Sequence, residues 1–481
     1  MADAMAEPMA GPMTEPMTGP MTDTGQVIVI GAGISGLACA YRLKQLGVPV
    51  SLLEASGRVG GLVGSVRKDG FLFESGPQSF QGTDPIFDLI REAGIEPELQ
   101  RADPHAPRFV YLHGKLQKIP MTPQALMTSS LLGLKSRARI ASEPFKRTKP
   151  PTEEESVADF VRRKFGHEIL EYLVAPFVSG VYAGDPEKLS LKAAFPTLEE
   201  WEREYGSVLR GAMKSRTEKE KTSGPPPLCS FQNGVGSLAN AIAAKLGGDL
   251  RLGAQAASVT RAAGTADAAN YKVCWTRAGQ NETAEAAAVV VATPAYTAGH
   301  LAAAISPALG HTLSGVAYAP VAVVASGYYD KQIAESLEGF GFLIPRSEKV
   351  RTLGTVWNSS LFAGRAPAGS VAITSFIGGA TDPKIVERSE DELAAIVQDE
   401  NARILQISGS PVASAVWKYP KALPQYNLGH GHVVEAIRDG ERSNPGLFFC
   451  GNYLEGPSLG KCVETANQTA QAVHSYLQRT N

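Results

Sequence analysis

The sequence lacks several features that would assign it to a common functional class. Its 481 residues carry 46 basic and 48 acidic side chains, for a formal net charge of -2. Charges this closely balanced give no overall positive field, which argues against wholesale nucleic-acid binding. Five cysteines form an odd set without a C-x-x-C pair, and no H-E-x-x-H occurs. The sequence therefore predicts neither a disulfide framework nor a metal site, and it indicates a reducing compartment.

Targeting and membrane-spanning signals are also missing. The first basic residue is Arg42, so neither a secretory signal nor a mitochondrial transit peptide is predicted, and we expect a cytoplasmic protein. Residues 1–24 repeat Met and Pro with a period of four, which predicts a disordered tail. Residues 286–329 carry no Asp, Glu, Lys or Arg, but three prolines divide them into pieces too short for a transmembrane helix.

A βαβ unit follows the tail. The β-branched run Val27–Ile30 leads into the glycine motif Gly31–Gly36, and a second apolar run, Val50–Leu53, ends at Glu54. The glycines permit a tight turn, close approach of a pyrophosphate and close packing of the next helix, whose N-terminus offers N–H groups to phosphate. A carboxylate at Glu54 suits a ribose diol. The unit predicts an α/β fold with a dinucleotide site.

The residues after Glu54 favour FAD over NAD. Ser56–Gly61 reads S-G-R-V-G-G, in which the paired glycines permit further backbone approach and Arg58 can meet a phosphate. This continuation is typical of flavoproteins of the amine-oxidase type. Near the other end of the chain, Leu447–Cys450 predicts a buried strand, and the helix from Lys461 is expected to direct its positive N-terminus at the flavin. The cofactor site is thus predicted to draw on both ends of the chain.

Four further segments carry a resemblance to a family. They are Gly76–Phe80, Ser179–Asp185, Gly339–Pro345 and Pro424–His430. With the motifs at both ends, they resemble the oxygen-dependent protoporphyrinogen oxidases, a branch of the flavin amine oxidases, from about Gln26 to the C-terminus. The resemblance implies non-covalent FAD and a six-electron oxidation of protoporphyrinogen IX to protoporphyrin IX in haem biosynthesis. Three hydride transfers to FAD would be followed by reoxidation with O2, giving H2O2.

The resemblance also implies which residues hold the ligands. In the substrate site, Arg108 would pair with a propionate, and the Gly180 carbonyl would face a pyrrole N–H. Leu343, Val356 and Phe376 would pack on the macrocycle. The implied cofactor residues are Gly31, Gly33, Ile34, Ser35, Gly36, Glu54, Ala55, Arg58, Gly60, Gly61, Gly76, Pro77, Ser79, Ala256, Trp417, Gly451, Ser458 and Leu459. Ala256 is a departure, because relatives usually place valine against the adenosine; no catalytic acid, base or nucleophile is assigned.

The implied architecture is a Rossmann-like FAD-binding domain of the amine-oxidase type, an α+β substrate domain and a helical membrane-binding domain. We predict the FAD-binding domain over residues 25–88, 228–298 and 441–481, the substrate domain over 89–113 and 299–440, the helical membrane-associating domain over 114–211, and a linker over 212–227. Between Lys115 and Lys149, eight basic residues and one acidic residue enclose the apolar stretches 125–127 and 131–134. This pattern fits peripheral contact with anionic lipid or, equally, a solvated helical face. Thr152 and Glu155 predict a capping box for a helix over Glu153–Arg163.

Three other functions stay open, as does whether the chain forms a homodimer. A coproporphyrinogen III oxidase would show nearly the same pattern, but the four propionates of its substrate should require more cations than Arg108. A flavin amine oxidase would need a site for a neutral amine. A non-enzymatic binding protein of the GDP-dissociation-inhibitor type keeps the fold without flavin, and the intact glycine motif with Glu54 argues against it.

Overall fold

The computed structural model describes residues 26–219, 226–262 and 271–480, so the predicted tail lies outside the described residues. Its strands are β1 (Val27–Ile30), β2 (Val50–Glu54), β3 (Ser65–Lys68), β4 (Phe71–Glu74), β5 (Phe80–Gln81), β6 (Leu99–Arg101), β7 (Arg108–Leu112), β8 (Lys115–Lys118), β9 (Leu228–Phe231), β10 (Leu250–Leu252), β11 (Gln255–Arg261), β12 (Tyr271–Arg277), β13 (Gln280–Ala286), β14 (Ala288–Val291), β15 (Tyr318–Tyr329), β16 (Gly341–Leu343), β17 (Thr352–Val356), β18 (Ser370–Gly378), β19 (Ala413–Pro424) and β20 (Leu447–Phe449).

The α-helices follow the same chain order. They are α1 (Ile34–Gln45), α2 (Asp84–Ala93), α3 (Pro123–Thr128), α4 (Leu134–Ser142), α5 (Val157–Lys164), α6 (His167–Ile169), α7 (Ala175–Tyr182), α8 (Leu191–Ala194), α9 (Pro196–Tyr205), α10 (Val208–Lys219), α11 (Gly236–Leu246), α12 (Ala295–Ala302), α13 (Pro307–Ser314), α14 (Asn358–Leu361), α15 (Glu390–Leu405), α16 (His430–Ser443), α17 (Asn452–Glu455) and α18 (Leu459–Thr480). None of the described helices is both long and apolar enough to cross a bilayer.

Five parallel strands form the sheet that carries the glycine motif, in the order β10-β2-β1-β14-β20. Alternate residues of β1 point into two different cores, Val27 and Val29 into one, Ile28 and Ile30 into the other. Helices α1, α11 and α18 cover the first face, while β11-β12-β13 with α12 and α13 cover the second. Strands buried on both faces are uniformly apolar, which is why these runs were recognisable in the sequence.

The second sheet has seven strands in the order β19-β15-β18-β17-β16-β7-β8, antiparallel except between β16 and β7. Its back face packs on α15, where Ile377 and Leu393 share one apolar cluster. Thr355 Oγ1 donates to Asn401 Oδ1 (3.1 Å), and Asn401 Nδ2 donates to Ser375 Oγ (2.8 Å). These buried bonds satisfy hydroxyl groups in the core and fix the register of β17 against β18.

A helical region, α3 to α10, packs on β7 through Val110 and Leu112. The predicted linker is wrong over its first half, because α10 continues to Lys219; residues 220–225 lie outside the described residues. The predicted capping box is also wrong. The helix begins at Val157, because Ser156 Oγ accepts from the main-chain N–H of Asp159 (3.1 Å) and so acts as its N-cap.

The basic stretch of this region differs in part from the expected pattern. In the apolar stretch 131–134, Leu131 and Leu132 are buried, whereas Leu134 is 82% exposed. Arg137 donates to the carbonyl of Leu132 (2.9 Å), and Arg139 donates to two carbonyls at the end of α5 (both 2.8 Å). These two guanidinium groups therefore hold the helices together and are not free surface charges.

A buried ionic cluster holds α5 and α9 together. Glu202, whose side chain is fully buried, accepts hydrogen bonds from Arg163 Nη1 (2.7 Å) and Thr148 Oγ1 (2.6 Å) and pairs with Lys164 Nζ (2.8 Å). Burial alone would raise the pKa of Glu202, but the bonds from Arg163, Lys164 and Thr148 outweigh it and lower the pKa to about 2. Lys164 also lies 3.6 Å from the buried carboxylate of Glu143.

Candidate flavin and substrate site

The glycine motif forms the turn between β1 and α1. Gly31 has a φ of +103°, and a Cβ there would lie 2.9 Å from the Ala292 carbonyl oxygen. A Cβ on Gly36 would lie 1.8 Å from the Gly31 carbonyl oxygen, so both positions require glycine. Gly33 is the N-cap of α1; a Cβ there would meet nothing within 4 Å, and no side chain caps the helix. The first N–H groups of α1 thus adjoin open space, as a phosphate site requires.

A second glycine loop lies against the first. The Gly60 N–H donates to the Ala32 carbonyl (2.8 Å), Gly33 and Gly60 form a β-bridge, and Gly61 is exposed with a φ of +60°. Arg58 Nη2 donates to the Gly61 carbonyl (2.6 Å), and Nη1 reaches two more carbonyls of the loop. Arg58 therefore stabilises this loop, and its contact with a phosphate stays a prediction.

Glu54, at the end of β2, lies beside the first loop. Its Oε2 accepts from the Ala32 N–H (2.7 Å), and its Oε1 accepts from the N–H and the hydroxyl of Ser56 (both 2.8 Å). A carboxylate oxygen accepts two hydrogen bonds, so Oε2 keeps capacity for a ribose hydroxyl. The Ala254 N–H donates to the Glu54 carbonyl (2.8 Å), which puts the half-buried Ala256 close to the expected adenosine position.

Two more segments complete this cradle. Gly76 packs on the second glycine loop, since a Cβ there would lie 2.1 Å from the Leu62 carbonyl oxygen. Helix α18 begins nearby, and a Cβ on Gly460 would lie 2.8 Å from Thr83 Oγ1. The exposed Ser458 Oγ accepts from a main-chain N–H in the first turn of α18 (3.2 Å). The other predicted cofactor residues of these segments are Pro77, Ser79, Gly451 and Leu459.

The front face of the seven-stranded sheet, opposite α15, collects the predicted substrate residues. Two rows of paired residues cross it, Arg108-Gly341-Val356-Thr374 and Leu343-Gly354-Phe376-Val323-Trp417. Directly paired residues point to the same side of a sheet, so these rows form one surface. Helix α7 packs on it, because a Cβ on Gly180 would lie 2.5 Å from Leu343 Cδ2. The structure therefore brings all five predicted substrate residues together.

Arg108 and Gly180 provide polar groups at this surface. The guanidinium carbon of Arg108 lies 5.3 Å from the ring centre of Phe340, a cation–π distance. Within the part of the chain that the structure describes, no carboxylate pairs with Arg108. An unpaired guanidinium of this kind suits a carboxylate ligand. Helix α7 ends at Tyr182, so the Gly180 carbonyl is among its last four, which lack partners inside the helix.

One link between the two halves of the site was not predicted. Asn358 Nδ2, just after β17, donates to Gln78 Oε1 (2.7 Å), and Gln78 Nε2 donates to the Gly76 carbonyl (2.7 Å). Both side chains are buried. The two residues are separated by 280 positions, and no sequence pattern signals their pairing.

A second link was also missed. Arg365, which is fully buried, donates from Nη2 to Ser230 Oγ (2.5 Å) and lies 3.6 Å from Glu74 Oε1. Glu74 in turn accepts from the hydroxyl of Ser65 and the Val235 N–H (3.0 Å). Burial raises the pKa of Glu74 to about 7, and these hydrogen bonds and Arg365 offset the effect only in part.

Comparison with known proteins identifies the family. The sequence profile of the flavin containing amine oxidoreductases matches residues 34–474. The chain belongs to this family. It is 37% identical over 479 residues to a chloroplastic protoporphyrinogen oxidase of Oryza sativa subsp. japonica, across 94% of this chain and 88% of that one. Identity to a coproporphyrinogen III oxidase of Bacillus subtilis is 28%, across 94% and 98%. A crystal structure from Exiguobacterium sp. matches with a TM-score of 0.80 at 22% identity, across 94% and 99%.

These matches confirm the predicted family, the amine-oxidase type of α/β fold and a flavin cofactor. The geometry fits such a cofactor, because the cradle is open where Gly33 and Gly61 face each other: a Cβ on Gly61 would meet only the Gly33 Cα, at 3.4 Å. Backbone N–H groups there would hold phosphate, and Glu54 would hold the ribose. Bound flavin would supply a hydride acceptor.

Proposed function

We propose that the chain oxidises protoporphyrinogen IX to protoporphyrin IX with non-covalently bound FAD as the hydride acceptor. The observation that carries the proposal is the front face, where the unpaired Arg108 adjoins the apolar side chains of Leu343, Val356 and Phe376. A porphyrinogen has the matching polarity, an apolar macrocycle with carboxylates on one side. The match to proteins named protoporphyrinogen oxidase supports the same substrate.

The residues of the front face orient the substrate and exclude water. Arg108 grips a propionate, the Gly180 carbonyl accepts from a pyrrole N–H, and the apolar side chains stack on the ring. FAD held by the cradle would supply the acceptor for three hydrides from the bridging carbons, which together account for six electrons. A pyrrole nitrogen stabilises the cation left by each transfer, and its N–H then loses a proton readily, so the reaction needs no acid or base from the protein.

Coproporphyrinogen III is the nearest competing substrate. It carries four propionates where protoporphyrinogen IX carries two. Among the described residues of the two front-face rows, Arg108 is the one cation. A single guanidinium favours the substrate with fewer carboxylates, and the higher identity to protoporphyrinogen oxidases points the same way.

We propose further that O2 reoxidises the flavin and that the helical region contacts lipid peripherally. Six large apolar side chains are exposed among the described residues from 121 to 213: Met121, Leu134, Phe145, Phe177, Val181 and Met213. Phe145 is 87% exposed and is followed by the exposed Lys146 and Arg147. Apolar side chains flanked by cations suit anionic lipid. Flotation with vesicles containing phosphatidylserine tests this, and Phe145→Ser should weaken it; equal flotation of both proteins would contradict the proposal.

Anaerobic mixing with substrate tests the main proposal. Protoporphyrinogen IX should bleach the visible absorption band of the flavin, and coproporphyrinogen III at equal concentration should bleach it more slowly. Re-admitted O2 should restore the band and form H2O2. A purified protein that lacks flavin and refuses reconstitution, or one that is bleached by amines and by neither porphyrinogen, would defeat the proposal.

A further inference from the structure

The connection between β17 and β18, residues 357–369, lies between the proposed substrate wall and the flavin cradle. It follows the strand that ends at Val356 and precedes the strand that carries Phe376, so it joins two parts of the proposed substrate wall. It also touches the segment Glu74–Ser79, which packs on the second glycine loop at Gly76. A shift of this connection would therefore move the substrate wall relative to the flavin cradle.

The first link in this contact is Asn358. Its side chain is 3% exposed and donates to Gln78, which is 6% exposed. The Gln78 amide in turn donates to the Gly76 carbonyl, and Gly76 lies against the Leu62 carbonyl of the second glycine loop. Two hydrogen bonds of 2.7 Å thus join the end of β17 to the backbone that borders the proposed flavin.

The second link is Arg365, seven residues further on. Its guanidinium donates to Ser230 Oγ (2.5 Å) and to the Phe231 carbonyl (3.2 Å), and it faces Glu74 at 3.6 Å. Its own carbonyl accepts from the Leu72 N–H (2.9 Å). A loop that only reversed the chain would not need a fully buried guanidinium, because burying a charge is costly unless it is paired and hydrogen-bonded.

We propose that Asn358 and Arg365 are positioning residues for hydride transfer, which together hold the substrate wall at a fixed distance from the flavin cradle. Neither residue needs to touch substrate or cofactor in this role. Hydride transfer is sensitive to such positioning, since reacting atoms must approach to about 3–3.5 Å and a misplacement of about 1 Å can cost roughly a hundredfold in rate. The inference rests on the proposed function.

Single-turnover reduction of the flavin by protoporphyrinogen IX, followed anaerobically over a range of substrate concentrations, tests this. Asn358→Ala and Arg365→Met should each lower the limiting reduction rate by about tenfold or more, while the half-saturating concentration stays within about threefold. The flavin midpoint potential and visible spectrum should not change, because the links act on distance. Arg365→Lys, which keeps one donor for Ser230, should recover part of the rate.

Arg351→Met is the matched control. Arg351 directly precedes β17 and forms a two-bond ion pair with Asp382 (both 2.9 Å). Its loss should lower the melting temperature without changing the limiting reduction rate. Should Arg365→Met fail to fold, Ser230→Ala removes a single acceptor of the guanidinium, and we expect a smaller loss of rate in the same direction.

Several outcomes would overturn the inference. The first is a wild-type limiting rate in both Asn358→Ala and Arg365→Met, with Ser230→Ala standing in for Arg365→Met if that variant does not fold. The second is an equal loss of rate in Arg351→Met. The third is a shift of the flavin midpoint potential that is large enough to explain the slower reduction. Wild-type protein that no porphyrinogen reduces would defeat the proposed function as well. Normal reduction of the wild type with unaffected variants would defeat the positioning role alone.

Discussion

Two buried carboxylates, Glu202 in the helical region and Glu74 beside the flavin cradle, experience opposite electrostatic environments. Both are at most 1% exposed and both face a guanidinium. The pKa of Glu202 nevertheless falls to about 2, whereas that of Glu74 rises to about 7. Burial pushes both values upward, and the hydrogen-bond donors and cations that each carboxylate meets oppose it to different extents.

The donors differ in charge and distance. Glu202 receives close bonds from Arg163 and Lys164 as well as from the Thr148 hydroxyl, whereas the cation nearest to Glu74 is 3.6 Å away. The Arg365 guanidinium instead donates to Ser230 and to the Phe231 carbonyl. A buried guanidinium thus lowers the pKa of a carboxylate less when it donates to other groups, as that of Arg365 does.

Removing Glu202 should have the largest effect on stability. Glu202→Ala leaves Arg163 and the buried Lys164 without their shared acceptor, and we expect a loss of about 3–5 kcal/mol in the free energy of unfolding. Urea denaturation measures it. Glu200→Ala, an exposed position on the same helix, should change the value by less than about 0.5 kcal/mol. Equal losses in the two variants would break the comparison.

The second largest effect should be the contribution of Glu202 to the fall in the free energy of unfolding at acid pH. Its folded-state pKa of about 2 lies below the ordinary value of 4.5, so its contribution is present above pH 4.5 and is lost as pH falls toward 2. The shift corresponds to about 3 kcal/mol. Unfolding free energies measured across this range should fall less steeply in Glu202→Gln; parallel curves would contradict the assignment.

Glu74 should show the opposite pH dependence. Its folded-state pKa of about 7 lies above 4.5, so its stabilising contribution is present below pH 4.5 and is lost as pH rises through 7. We expect the wild type to lose about 2–3 kcal/mol from this group over that range, and Glu74→Gln to remove this loss. The difference between the two unfolding curves isolates Glu74. A difference that does not vary with pH would show that burial does not dominate at Glu74.

Loss of one neutral donor should produce the smallest effect. Thr148→Val removes a bond to Glu202 and an acceptor of Lys164 Nζ, and Ser65→Ala removes a bond to Glu74 and the acceptor of the Gly236 N–H. Each should cost about 1–2 kcal/mol at neutral pH. Titration of isotopically labelled Glu carboxyl groups by NMR should show both pKa values rising, that of Glu202 staying below 4.5. A Glu202 pKa above 4.5 in Thr148→Val would mean that the hydroxyl outweighs the two cations.

The local parts of the fold were predictable from sequence, and the long-range polar links were not. The apolar runs of the parallel sheet and the turn at Gly31 follow from burial on both faces and from backbone sterics, which short sequence windows record. Gly180 and Leu343 lie against each other, and the roles that the family resemblance implies for them stay predictions. The pairings of Arg365 and Asn358 were not predictable, because their partners lie more than a hundred residues away in sequence and no adjacent residue indicates them.

The helix boundaries in the helical region show the same limit. Thr152 with Glu155 matched a capping pattern, yet Ser156 captures the free N–H of Asp159, and Glu155 instead pairs with Arg163. The predicted linker after residue 211 failed because charged residues are as compatible with an exposed helix turn as with an irregular segment. Local patterns in such polar stretches leave tertiary contacts to decide the boundaries.

The position of β20 at the edge of the parallel sheet has a consequence for biosynthesis of the protein. This strand and the helix that begins at Leu459 lie more than 400 residues beyond β1 and its turn along the chain (Leu447 against Ile30). The parallel sheet therefore stays incomplete until the chain has been made at least as far as β20. A chain cut before Leu447 would lack an edge strand of this sheet and the helix whose N-terminus we expect to face the flavin.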